Sequence, residues 1–383
     1  MTNWEKFDRW LESRWVSPAY GGCVLAGIAL CLFGAATNTM AGWLYVISGM
    51  MFALLGLGAI LPVRALKELK LHRSTIDPVP AGDCLTIELE IENPSKQPKT
   101  LLQVRDMLPF LLSPPMESAI EVIPPQSSYR WVYYPKTNRR GVYRWHDVEL
   151  RTGTPLGLFW CCRGREVNAR AVVYPAVLPL NQCPLIDTIG KDESLKLQSD
   201  RLYKAATEGV TRALRHYRRG DPSRLIHWRT SARLGELQVR ELEIVTGGQE
   251  VIVCLDSASV WEESSFEDAV IAAAALYFYA SKCQMGVKLW TAGAGLNQGN
   301  TMVLETLAAV QSNEEITFPK LPNIPLIWLT QNGLDLRQLP LGSRWVLFSS
   351  NSEDTPPPID SYFRGLVINK NEPLQTQLQQ HFF

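Results

Sequence analysis

The sequence predicts a membrane-anchored multidomain chain. A two-helix transmembrane hairpin comes first, then an all-β immunoglobulin-like sandwich, then an α/β domain with a doubly wound sheet. Three observations carry this. Two stretches without a charged residue, Ala19 to Ala36 and Gly42 to Leu61, lie close together near the N-terminus. Short alternating segments broken by Pro, Gly and Asn follow, and beyond them continuous apolar runs alternate with helical periods.

Composition limits the function classes. Among 383 residues, 38 Lys and Arg balance 38 Asp and Glu, so the chain lacks the strongly basic surface of a general nucleic-acid binder, and no nucleic-acid partner is expected. The 8 cysteines are scattered and form no C-x-x-C pair, which fits reduced thiols better than a disulfide framework or a zinc site.

In residues 1–18, Trp4, Phe7, Trp10, Leu11 and Trp15 recur at helical spacing among charged residues. This reads as an amphipathic helix lying in the headgroup region, with packing on a soluble domain as the alternative. Residues 19–63 form the hairpin, since each apolar stretch has about the 20-residue length that crosses a hydrocarbon core. Gly27, Gly34, Gly49 and Gly56 are expected to let the helices pack closely. Positive residues flank the hairpin on its outer ends, Lys6, Arg9 and Arg14 before and Arg64, Lys67, Lys70 and Arg73 after. By the positive-inside rule both termini and the soluble domains face the cytoplasm, as in a multi-pass protein of the plasma (inner) membrane.

Residues 73–175 hold the strand-like segments Leu85–Ile91, Leu101–Arg105, Ala119–Ile123, Tyr129–Tyr134, Gly141–Leu150 and Ala171–Val173, which predict the sandwich. Residues 176–211 carry Pro179, Pro184 and then a charged run, and read as a surface linker. Residues 212–245 concentrate eight arginines, Arg212, Arg215, Arg218, Arg219, Arg224, Arg229, Arg233 and Arg240. There Gly220 permits a turn, Asp221 and Pro222 are expected to start a helix with Leu225, Ile226 and Trp228 on its apolar side, and Gly235 stops it before a strand. Residues 246–370 alternate strands (250–255, 287–290, 324–329, 344–348) with helices (265–283, 302–311), the pattern of a mostly parallel sheet. Residues 371–383 are a tail.

The basic segment resembles the signature of a bacterial membrane-protein family known as domain of unknown function 58, R-x-Y-x-x-G-D-x-x-R-x-I-x-W-x-x-S-A-R. Arg215, Tyr217, Gly220, Asp221, Arg224, Ile226, Trp228, Ser231, Ala232, Arg233 and Gly235 match in place. Thr154 to Phe159 resembles the family's Asp-Pro-Phe-Gly-Leu-Phe, with Thr154 and Leu156 replacing the aspartate and phenylalanine. The C-terminal part resembles von Willebrand factor A-like domains, whose first buried strand ends in a metal-binding Asp-x-Ser-x-Ser. Here Asp256, Ser257 and Ser259 stand at that place, with the serines one residue early. They are candidates for a divalent metal such as Mg2+, against a strand-end turn in which Asp256 and Ser259 cap the next helix.

Arg215, Tyr217, Arg218, Arg219, Gly220, Asp221, Arg224, Trp228 and Arg233 form the candidate binding set. They would receive an anion, dock an acidic protein partner with Trp228 as anchor, or pair internally with Asp221, Glu236, Glu241 and Glu243. No known catalytic motif is present, and no cofactor is expected. The resemblance implies an adaptor working with a MoxR-type AAA+ ATPase in assembly or maturation of protein complexes. The alternatives are a membrane-associated hydrolase using His227 or a metal at Asp256, and an envelope-facing binding module.

Overall fold

The computed structural model describes residues 10–188, 210–217, 225–243, 250–317, 326–333, 339–340, 343–349 and 365–380. The chain divides into two compact units, Met1–Tyr174 and Pro175–Phe383.

In the first unit, α1 (Tyr20–Thr39) and α2 (Gly42–Lys67) are both long and apolar enough to cross a membrane. At 1.5 Å per residue, α1 is about 30 Å long, the thickness of a hydrocarbon core. Gly22, Ala29 and Ala36 on α1 and Ser48, Leu55 and Pro62 on α2 are buried. The α1 set repeats every seven residues, which keeps its small side chains on one face, while on α2 Leu44, Gly58 and Leu66 are buried as well, outside that repeat. Gly27, Gly34, Gly49 and Gly56 have open space where a Cβ would be, so they do not make the close approach expected of them. They share the seven-residue repeat of the buried set, and spacing alone does not select the inner face.

After α2 come β2 (Lys70–Arg73), β3 (Val79–Pro80), β4 (Ile87–Asn93), β5 (Lys99–Asp106), β6 (Met116–Ile123), β7 (Ser127–Tyr133), β8 (Gly141–Thr152) and β9 (Phe159–Tyr174). With β1 (Ser17–Pro18) they form one sheet in the order β1-β9-β8-β5-β6, with β3 on β9, and a second sheet β2-β4-β7. Ile87, Leu89 and Ile91 alternate inward from the smaller sheet and meet Val104, Ile120, Val148 and Leu150 of the larger in one core. Across that core, buried Asp106 accepts from Arg73 Nη2 at 2.7 Å, Trp145 Nε1 at 3.0 Å and the Tyr133 hydroxyl. Burial and the Asp106 charge both push the Tyr133 phenol up from its ordinary pKa.

β9 is far longer than the expected Ala171–Val173, because its first half is too rich in charge to read as a strand. Those charges have local partners. Arg163 donates to the carbonyls of Glu12, Ser13 and Trp15 at 3.0, 2.8 and 3.0 Å, and Arg165 to those of Leu66 and Lys67 at 3.0 and 3.3 Å. Two helix ends therefore have their orphan carbonyls satisfied from one strand. The helical stretch 10–14 is tied further by Glu12 to Arg151, while Trp10 and Trp15 remain exposed.

In the second unit, residues 178–187 depart from the expected surface linker. Leu180, Cys183, Leu185 and Ile186 are buried in the core, and α3 (Pro184–Asp187) is anchored by the Tyr279 hydroxyl on Asp187 at 3.0 Å. Prolines masked an apolar strap. β10 (Val210–His216), α4 (Trp228–Leu234) and β11 (Gln238–Glu243) build the basic segment.

The α/β part contains β12 (Glu250–Leu255), α5 (Glu263–Lys282), β13 (Gly286–Thr291), β14 (Gly295–Asn297), α6 (Asn300–Ala309), β15 (Leu326–Thr330), β16 (Arg344–Phe348), β17 (Gly365–Ile368) and α7 (Leu374–Leu378). Its sheet runs β14-β13-β12-β15-β16-β17, parallel except for β14. The strand order reverses between β12 and β15, so their carboxyl ends flank a switch point. Val251, Val253 and Leu255 face α5, α6 and α7, while Ile252 and Cys254 face the other way beneath stacked Trp290 and Trp328, 5.8 Å apart. Among the described residues of that second face the core is built from strands and loops, without the helices expected there.

Candidate functional site

The basic segment is an antiparallel pair with a helix between its strands. Arg215 faces Val239 and His216 faces Gln238 across β10 and β11. Ile226 bridges Val239, and both are buried. This bridge ends the possibility of one continuous helix from Asp221. The helix begins at Trp228, with His227 as its N-cap accepting from the Thr230 amide through Nδ1 at 3.2 Å. Gly235, at φ 75°, closes it with its amide on Ser231 O.

Ser231 fixes the frame. Its hydroxyl donates to His227 O at 3.1 Å and accepts from the Gln238 amide at 2.8 Å, which ties helix to strand. His227, the residue of the hydrolase alternative, lies one helical turn from Ser231, but both side chains are occupied by backbone groups, and Ser231 is buried. That arrangement gives no base and nucleophile pair.

On this frame Trp228 is 65% exposed, and Leu234, Leu237, Arg229 and Arg233 are also exposed. Tyr217 is held by its amide on Leu237 O at 2.9 Å, with its ring at the surface. Trp228 was expected on the buried side of a helix. The later helix start turns it outward, leaving Ile226 inside. Glu236, one of the expected internal partners, has its carboxylate 3.0 Å from His216 Nδ1 in an exposed pair. Arg218, Arg219, Gly220, Asp221 and Arg224 lie outside the described residues.

The second candidate, Asp256, sits at the switch point. It is buried and its Oδ2 accepts from Ser259 at 2.6 Å and from Thr330 at 2.8 Å. Thr330 ends β15, and nothing in its local sequence marked it. Ser257 Oγ accepts from the Ala292 amide at 3.0 Å, and its hydroxyl is thus directed into the backbone. The helix-capping reading is also corrected, because α5 is preceded by Glu262 without a side-chain cap. The set supplies one carboxylate, and among the described residues no three metal-type side chains gather. The Ser259 and Thr330 hydroxyls both donate to this carboxylate, so the set is a hydrogen-bonded cluster.

All 8 cysteines are free. Burial pushes the Cys162 and Cys183 thiols up to about 12, so neither is a ready nucleophile near neutrality.

A comparison with curated proteins finds no match. Among solved structures, the CARDB domain of the PF1109 protein from Pyrococcus furiosus, determined with di-metal ions, is similar at 12% identity and TM-score 0.18, over 27% of this chain and 93% of that one. The β-glucosidase from Listeria innocua in complex with isofagomine is similar at 17% identity and TM-score 0.15, over 28% of this chain. The chain spans 17% of that glucosidase's length. A family model does match the segment built above, from within β10 through the end of α6. Residues 213–309 match the family model described as protein of unknown function DUF58.

Proposed function

We propose that this protein is a membrane-anchored adaptor whose soluble units face the cytoplasm and whose basic segment docks a protein partner. The observation that carries this is Trp228, an indole 65% exposed at the head of a helix locked by Ser231, with exposed Arg229 and Arg233 on the same helix. A large aromatic beside arginines on a rigid frame is the composition of an interface anchor. The sandwich is read as immunoglobulin-like and the α/β part as von Willebrand factor A-like. The strand order and the position of Asp256 at the switch point support the latter. The partner class follows from the family resemblance, a MoxR-type AAA+ ATPase.

Two apolar helices, the second carrying Arg64 and Lys67 in its last turn beyond the uncharged run, support the anchor and its orientation. A reporter fused after Phe383 that is active only outside the cytoplasm would overturn the orientation. For the adaptor role the test is affinity capture from native membranes. An AAA+ ATPase retained by the wild type and lost by Trp228→Ala/Arg233→Ala, with unchanged unfolding, supports docking. Equal retention by both overturns it.

A further inference from the structure

We propose that the membrane-proximal end of the sandwich is itself a lipid-contacting surface, with loop 153–160 and the Trp15 side chain lying in the headgroup layer of the bilayer that holds α1 and α2. This rests on the membrane reading above and adds a second, non-spanning contact to it.

Depth is the first observation. The Leu158 carbonyl accepts from the Ala19 amide at 2.9 Å, and a Cβ on Gly58 would lie 3.3 Å from the Leu158 side chain. The uncharged runs begin at Ala19 and end at Leu61, so Leu158 is keyed between the spans where the hydrocarbon layer ends. The loop carrying it is at headgroup level by construction.

What the loop shows to solvent is the second observation. Leu156 is 43%, Trp160 38% and Trp15 73% exposed, and Tyr20 is exposed at the start of α1. Tryptophan and tyrosine collect at this depth, where an apolar ring and a polar edge are both accommodated. Trp160 is held rigid, with Gly153 against the ring and the Arg151 guanidinium 4.4 Å above it. That guanidinium is itself fixed by its ion pair with Glu12, so the indole is presented on a rigid support. Thr154 completes the loop by packing, with its hydroxyl 3.0 Å from that of Thr152, and so needs no carboxylate there.

The opposite end of the sandwich provides an internal reference. Phe110 is also exposed, but it follows β5, whose other end carries Lys99 bonded to Glu68 at the foot of α2. It therefore lies about 25 Å from the membrane end along the strand.

The test uses the full chain with its exposed cysteines replaced (Cys23→Ser, Cys31→Ser, Cys84→Ser, Cys283→Ser), reconstituted in phosphatidylethanolamine/phosphatidylglycerol vesicles. A nitroxide is attached in turn after Leu156→Cys, Phe110→Cys and Val46→Cys, and its collisions with oxygen and with a chelated nickel ion are compared. The expected result is oxygen-rich and nickel-poor at 46, fully nickel-accessible at 110, and several-fold shielded from nickel but open to oxygen at 156. Equal nickel access at 156 and 110 with 46 still in hydrocarbon overturns this surface and leaves the anchor standing. Shielding of 156 from both reagents means a protein cover and also overturns it. Nickel reaching 46 overturns the membrane reading and this inference with it.

Discussion

A Cβ on Gly22 would stand 2.1 Å from the carbonyl oxygen of Leu158. That backbone contact, inside the loop between β8 and β9, selects which glycines of the hairpin matter. Gly22→Ala is expected to lower stability by about 1–3 kcal/mol, because backbone has to move. Gly58→Ala, which meets a flexible side chain at 3.3 Å, costs less, and Gly27→Ala, with open space around it, is neutral. Thermal unfolding of the three variants in detergent checks the order.

Asp106 holds the two sheets together and accepts from buried Arg73 Nη2, while Arg73 Nε and Nη1 have no acceptor among the described residues. Asp106→Ala strands that guanidinium and is expected to cost about 3–5 kcal/mol. Arg73→Met/Asp106→Leu together remove the charge as well as its partner, and should unfold less readily than the single variant. Urea unfolding of both checks this.

The same cluster sets an alkaline limit. Tyr133 titrates higher folded than its unfolded value of about 10, so its neutral form contributes stability that is fully present below that pH and lost as the pH rises above it. Tyr133→Phe removes this titration. Its unfolding free energy is expected to start lower but to fall less steeply with pH above about 10 than the wild type's, measured by unfolding across that range.

At Asp256 the expectation is a null response to metal. Ser259 and Thr330 already donate to its Oδ2, and only one carboxylate is supplied. Adding Mg2+ after chelation should leave the melting temperature unchanged, whereas a bound ion at 100 times its Kd would stabilise by about 2.7 kcal/mol. A concentration-dependent rise, lost in Asp256→Ala, contradicts this.

Legibility in the sequence followed the range of the interactions. The predicted helix 265–283 is α5, and the run 250–255 is β12, because period and apolar continuity are local signals. Long-range pairings were hidden. Thr330 reaches Asp256 across 74 positions, and the arginines that fill β9 find their carbonyl partners in residues 12–15 and 66–67. The tail was equally silent. Gln377 reads as a polar surface residue, yet it is buried and closes on both backbone groups of Asn369 at 2.8 Å. In the basic segment the turn chemistry at Asp221 and Pro222, which lie outside the described residues, suggested a helix running on to Gly235, and the Ile226–Val239 bridge interrupts it. Tertiary pairing outweighed local propensity there. That shift of helix start is what turned Trp228 from core to surface.

The most direct measurement is photocrosslinking in native membranes from a benzoylphenylalanine placed at 228, with the same probe at 110 as reference. Docking through the basic segment is expected to give an AAA+ ATPase adduct from 228 that is absent from 110 and lost on adding Arg229→Ala/Arg233→Ala. No adduct from 228, or an identical adduct from both positions, would contradict the adaptor role assigned to this face.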